Sequence, residues 1–170
     1  MNLLHYCDKP FNFDRKCEYR NAGAYKPFGF WVSVEGPDDW EEWCKTEEYN
    51  LDSLRHVYKV TISENANILH ISTSQGMDDF NRRFAIKKSY FTEIAWENVY
   101  QEYDVLIISP YRWKHRLNQD FSWYYGWDCA SGVIWNLEAI KNIVETGPCK
   151  SKARIRVPGC HIPAYPPNEN

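Results

Sequence analysis

The chain has 170 residues, 25% of them charged, and a formal net charge of −3. That length buries a core without disulfide staples, and the acidic balance argues against a protein that grips duplex nucleic acid mainly by neutralising phosphates. Eight Trp, twelve Tyr and eight Phe make it unusually aromatic, a composition that builds small cores from large rings and also serves surfaces that hold flat ligands or partners.

Leu3–Cys7 reads as a short first strand, followed by a polar stretch over residues 11–24. Residues 26–34 enter a second strand through a Pro/Gly turn. Residues 37–44 open a helix, with an acidic first turn and an early Pro that suit the macrodipole. Asn50 to Leu54 is a loop or helix end. His56–Ile62 alternates with period two and is the clearest strand, and Ile68–Ile71 is another after the Asn65-Ala66-Asn67 turn. The spacing of Met77, Phe80 and Phe84 predicts a helix over 74–90, and Trp96, Val99 and Tyr100 predict a second over 94–103.

Val105–Ile108 is a buried strand, and residues 111–127 form an aromatic, basic excursion. Residues 133–135 return to strand, residues 137–144 are predicted as a short helix, and 153–157 alternate as a last strand. The pattern is α+β: one domain over residues 1–158, with a mixed, mostly antiparallel sheet and two to three flanking helices. Residues 159–170 are a Pro-rich tail with no means of packing.

The six cysteines include no CxxC or HxxxH spacing, so no metal site is expected. Met1–His5 has no basic region followed by an apolar run, and no segment has the length of a membrane span. The expected setting is therefore cytoplasmic, with reduced thiols and no membrane partner.

The most informative stretch is Trp123–Asn136. It places Asp128 on a Gly-flanked turn between a wall of rings (Trp123, Tyr124, Tyr125, Trp127) and the strand-like Val133-Ile134-Trp135. A stacking surface beside a single acid suits a flat, ring-bearing ligand, and a tightly packed turn has the same composition.

Three pieces together resemble the ADP-ribosyltransferase fold in its small bacterial and phage form, including phage anti-CRISPR ADP-ribosyltransferases. Leu4-His5-Tyr6-Cys7 resembles the family's first strand, and Gly29-Phe30-Trp31-Val32-Ser33 its second motif. Asp128, ahead of Cys129-Ala130-Ser131-Gly132-Val133, stands where the family presents its acid. The likeness spans residues 3–136. It departs from better-known members in having no Glu-x-Glu or Gln-x-Glu in the last motif, and Ser72-Thr73-Ser74 lies outside the second-strand position.

The resemblance implies a sheet of ADP-ribosyltransferase type and a mono-ADP-ribosyltransferase that cleaves the nicotinamide–ribose bond of NAD. An oxocarbenium-like transition state is implied, with transfer to a protein or nucleic-acid acceptor and a role in phage–host defence. It implies that His5 donates to the adenosine-side ribose, that Ser33 anchors the nicotinamide ribose or orients the acid, and that Asp128 stabilises the growing cation. Trp31, Tyr124, Tyr125 and Trp127 would stack on nicotinamide or adenine, and Arg112 or Arg116 would meet the pyrophosphate. A competing reading makes the chain a non-catalytic inhibitor, or a degenerate nucleotide-binding member, that works through an aromatic surface. A nuclease is disfavoured because no paired acids stand around Asp104 or Asp128. Beside each role stands a plain structural one: a satisfied strand histidine, an Asp capping a turn, rings that are core.

Overall fold

The computed structural model describes residues 1–19 and 26–147. The expected strand over 153–157, the tail over 159–170, Cys149 and Cys160 lie outside the described residues. Nine strands are described: β1 (Leu3–Cys7), β2 (Phe30–Val34), β3 (His56–Ile62), β4 (Ile68–Ile71), β5 (Ala85–Lys87), β6 (Thr92–Ile94), β7 (Val105–Ile108), β8 (Ser131–Ile134) and β9 (Ile140–Gly147). Seven of them form one mixed sheet in the order β4-β7-β8-β2-β1-β3-β9, and β5 and β6 form a separate hairpin. Only β4 and β7 pair in parallel; the remaining pairs of the large sheet are antiparallel. The α-helices are α1 (Trp40–Glu47), α2 (Ser74–Phe84), α3 (Trp96–Glu102) and the single turn α4 (Trp113–Arg116), joined by three 3-10 segments at Leu51–Leu54, Gln119–Gly126 and Leu137–Ala139.

The local chemistry explains most boundaries. Asp39 caps α1, its carboxylate accepting from Glu42 N at 2.9 Å, an N–H the helix leaves unpaired, and from Gly36 N at 3.1 Å in the preceding turn. Thr73 caps α2 through Gly76 N, and Met77, Phe80 and Phe84 bury one face of that helix. All four residues of β7 are fully buried, as a continuous apolar run in a central strand should be. Gly132 on β8 faces this strand so closely that a Cβ would lie 2.8 Å from Leu106 O and 3.0 Å from Ile107 Cγ1.

Two predicted helices end differently. The helix over 74–90 stops at Phe84, and residues 85–94 turn into the β5–β6 hairpin. There Thr92 exchanges hydrogen bonds with Ser122, its N–H donating at 2.6 Å and its carbonyl accepting at 3.0 Å. That tertiary pairing outweighs the helical preference of Ala85-Ile86-Lys87-Lys88.

The helix predicted over 137–144 is instead a 3-10 turn and the strand β9. β9 pairs with β3 from Ile62↔Ile140 to Val57↔Gly147. Its β-branched Ile140, Ile143, Val144 and Thr146 suit a strand. Irregularities of register near both ends of the pairing break the period-two pattern, leaving an i, i+3 spacing that mimics a helix.

Candidate functional site

The large sheet opens between β1 and β2. These neighbours pair at one end only, Leu3↔Val34 and Leu4↔Ser33, whereas β1 pairs with β3 along its whole length. Where β1 and β2 diverge, a cleft of about 230 Å³ is lined by Leu4, His5, Tyr6, Lys26, Trp31, Val32, Ser33, Trp40, Asn50, Ser53, Asp128, Cys129 and Ser131.

The divergence strips Trp31 O of a ladder partner, and His5 replaces it: Nδ1 lies 2.8 Å from Trp31 O. A carbonyl only accepts, so Nδ1 carries the proton and donates, which leaves Nε2 as an acceptor. The ring stacks on Phe30 with centroids 4.3 Å apart and meets the edge of Phe11. Burial holds its pKa below the ordinary value, against the bond to Trp31 O. A neutral His5 with this tautomer has Nε2 as an acceptor, able to take a hydrogen bond from a hydroxyl in the cleft.

Ser33 sits at the last paired step, opposite Leu4 on one side and Ser131 on the other. Its Oγ accepts from Trp40 N at 2.8 Å, tying β2 to the start of α1. Trp40 in turn donates from Nε1 to Ser53 Oγ at 3.1 Å and stacks on Trp43, which fixes one wall of the cleft.

Asp128 is held at the opposite wall. The turn that carries it is pinned by Ala130 N donating to Asp38 O at 2.7 Å and by Val34 N donating to Ala130 O at 2.8 Å. Arg116 Nη2 meets Asp128 Oδ1 at 3.2 Å, and Arg116 Nη1 reaches Tyr111 Oη at 3.4 Å. Burial raises the carboxyl's pKa above its usual value, while Lys26 and Arg116 draw it down and Glu47 adds to the rise. The neighbouring Cys129 thiol is pushed up to about 12 by burial. It stands in the lining as a protonated thiol.

Of the residues the sequence singled out, His5, Trp31, Ser33 and Asp128 line this cleft together. The others do not. Tyr124 and Trp127 have no solvent exposure and present no face to a ligand: Arg112 N donates to Tyr124 Oη, Tyr111 Oη donates to Trp127 O, and the Trp127 ring packs edge-on against Trp31 at 4.8 Å. They support the cleft from behind. Tyr125 is exposed but lies over the Arg116 guanidinium outside the cleft lining. Arg112 donates through Nη2 to Ser72 O, at the end of β4, and is likewise absent from the lining.

Lys26 and Trp40 were missed. The signal for Lys26 was its place at the entry to β2, three residues before Gly29, and for Trp40 the first position of the helix after β2. Among the described residues no group of three His, Cys, Asp or Glu side chains is placed to hold a metal ion, and no helix is long and apolar enough to cross a membrane. Comparison with protein-family models, with curated proteins and with solved structures finds no match for this chain.

Proposed function

We propose that this chain is an NAD-dependent mono-ADP-ribosyltransferase acting on a macromolecular acceptor. The observation that carries the reading is the convergence of His5, Trp31, Ser33 and Asp128, 123 positions apart in sequence at the extremes, on one cleft between diverging strands. The cleft is smaller than the ~300–1,000 Å³ of pockets that enclose a whole drug-sized ligand. It suits one ring and one ribose, with the rest of a dinucleotide crossing the rim.

In this reading the nicotinamide ring lies toward Trp31 and its ribose toward His5 and Ser33. His5 Nε2 accepts from one ribose hydroxyl. Ser33 Oγ already accepts from Trp40 N and donates its own proton to another. The C–N bond breaks, its electron pair leaves with neutral nicotinamide, and the positive charge that builds on the ribose faces the Asp128 carboxylate. The acceptor adds to the same carbon, and its proton passes to Asp128 or to water.

The test is incubation with isotopically labelled NAD and a cell lysate, beside Asp128→Asn, which keeps the shape and a partner for Arg116. Label on a macromolecule, reduced by about 10²–10³-fold in the variant as for loss of a key electrostatic group, supports the reading. Free ADP-ribose without transfer means a hydrolase, and no NAD consumption removes the reading.

The non-catalytic reading draws on a different observation. Trp113, Leu117 and Tyr125 are exposed around α4 beside Lys114 and Arg116, a surface suited to a protein partner. Wild-type binding of a partner without NAD consumption, lost in Trp113→Ala and kept in Asp128→Asn, favours it.

A further inference from the structure

We propose that Lys26 is the anion-binding group of the cleft. Its ammonium leaves the face of Trp31 to pair with the diphosphate of the nucleotide, which opens that ring to the substrate's flat base and relieves Asp128 of one of two nearby cations. The proposal rests on the NAD reading for the identity of the nucleotide, and on geometry for the role of Lys26.

The Lys26 ammonium stands 4.2 Å from the centroid of the Trp31 ring. Its stem runs past Gly126, where a Cβ would lie 3.6 Å from Lys26 Cδ. In this state Trp31 has Lys26 over its ring and an edge-type contact with Trp127, so a nicotinamide stacks on the face that Lys26 covers only if Lys26 moves. Burial lowers the pKa of this ammonium, and a contact with one ring face compensates its charge less than charge-assisted bonds to a diphosphate would. A lysine's flexible stem also lets the ammonium swing without moving the backbone.

The other cations considered for phosphate are already engaged. Arg112 is bound to Ser72 O and Arg116 to Asp128, and neither lines the cleft. Among the described residues Lys26 is the cation that does.

The charges around Asp128 point the same way. A carboxylate that must stabilise a growing cation is weakened by cations beside it. Lys26 attracts Asp128 within the same cleft lining, while Arg116 holds it by a direct ion pair. Among the described residues no carboxylate lies within ion-pair distance of Lys26, so the ammonium is free to turn to an incoming anion. The cleft therefore holds one carboxyl and one lysine cation in the same lining. A ligand with a cationic ring at one end and a diphosphate beyond matches that polarity.

The experiment is calorimetric titration of the wild-type protein, Lys26→Met and Lys26→Arg with inorganic pyrophosphate, ADP-ribose and nicotinamide riboside, beside nicotinamide release from NAD. Circular dichroism and tryptophan emission check that each variant is folded. Lys26→Met keeps the apolar stem over Trp31 and removes the charge. It is expected to weaken pyrophosphate and ADP-ribose by about tenfold or more, as loss of a charged hydrogen bond does, while nicotinamide riboside binds as well or better. Lys26→Arg retains anion binding.

The proposal is overturned if Lys26→Met binds pyrophosphate and ADP-ribose as the wild type does, or if the wild type binds neither. Lys26-dependent anion binding without nicotinamide release removes the transferase reading and leaves the Lys26 assignment standing. Nicotinamide release that is unchanged in Lys26→Met does the reverse.

Discussion

Trp123, Tyr124 and Trp127 lie behind Asp128 with no solvent exposure, whereas Trp31 and Trp40 stand in front of it, partly open to the cleft. The first group is a packed lattice. Trp123 meets Phe80 at 5.2 Å and Trp96 at 5.9 Å, and donates from Nε1 to Asn81 at 2.9 Å, while Tyr124 stacks on Tyr111. The second group is held more loosely: Trp31 by Lys26 and Trp127, and Trp40 by Trp43 and its bonds to Ser33 and Ser53. Identical residue types thus serve support and surface. The difference comes from the sheet: rings packed behind a continuous sheet become core, and rings where β1 and β2 separate become wall.

The largest effect should come from cutting the lattice. Trp123→Ala is expected to destabilise by about 3–5 kcal/mol, the range for deleting a fully buried large aromatic, and to abolish activity through unfolding. Trp31→Ala should cost much less stability and, on the proposed function, weaken nucleotide binding instead. Urea unfolding of both variants checks the contrast, and similar losses of stability would erase the distinction between support and wall.

Gly132→Ala probes the same boundary at the backbone. Its Cβ would be driven against Leu106 O, a fixed strand carbonyl that cannot move aside. The expected cost is about 1–3 kcal/mol or more, as for overpacking, with Asp128 displaced four residues upstream. Gly36→Ala, at a position with open space around it, should leave stability within about 0.5 kcal/mol, the usual range for surface changes. A Gly132→Ala protein that melts like the wild type would show that β7 and β8 are not pressed together.

The strands were the legible part of this chain. β1, β3, β4 and β7 stand where alternation and apolar runs place them, and the acid-rich start of α1 reads as a helix N-terminus. What could not be read was whatever a partner strand decides. Ala85-Ile86-Lys87 becomes a strand because Thr92 finds Ser122, and Ile140–Gly147 because β3 has an open edge. The site divided in the same way. His5, Ser33 and Asp128 were visible as polar groups in unusual apolar settings. Sequence could not show that Tyr124 and Trp127 face away from the acid they flank, because that depends on which side of a 3-10 turn packs on the sheet. Nor could it show Lys26 over Trp31, because a lysine at a strand entry is ordinarily solvated.

The smallest effect is a slope against pH, and it separates the cleft's histidine from its acid. Burial lowers the pKa of His5 in the folded chain and likewise that of His115, which packs on Phe121. Between the folded value and the unfolded value near 6.5, the unfolded chain holds more protons, so stability falls as pH drops through that window. Asp128 and Asp39 are raised when folded and act oppositely. Above the unfolded value near 3.8 the folded chain holds more protons, so these carboxyls favour folding as acidification protonates them. The melting temperature should therefore fall from pH 7.5 toward 5.5 and fall less steeply below, where the carboxyls begin to compensate. His5→Asn keeps a donor for Trp31 O and removes the titration, so its acid limb should be shallower than the wild type's, with His115→Asn adding a second decrement. An unchanged slope in His5→Asn would mean that His5 is solvated enough to titrate freely. The stack on Phe30 and the bond to Trp31 O would then not shelter the ring where β1 and β2 separate.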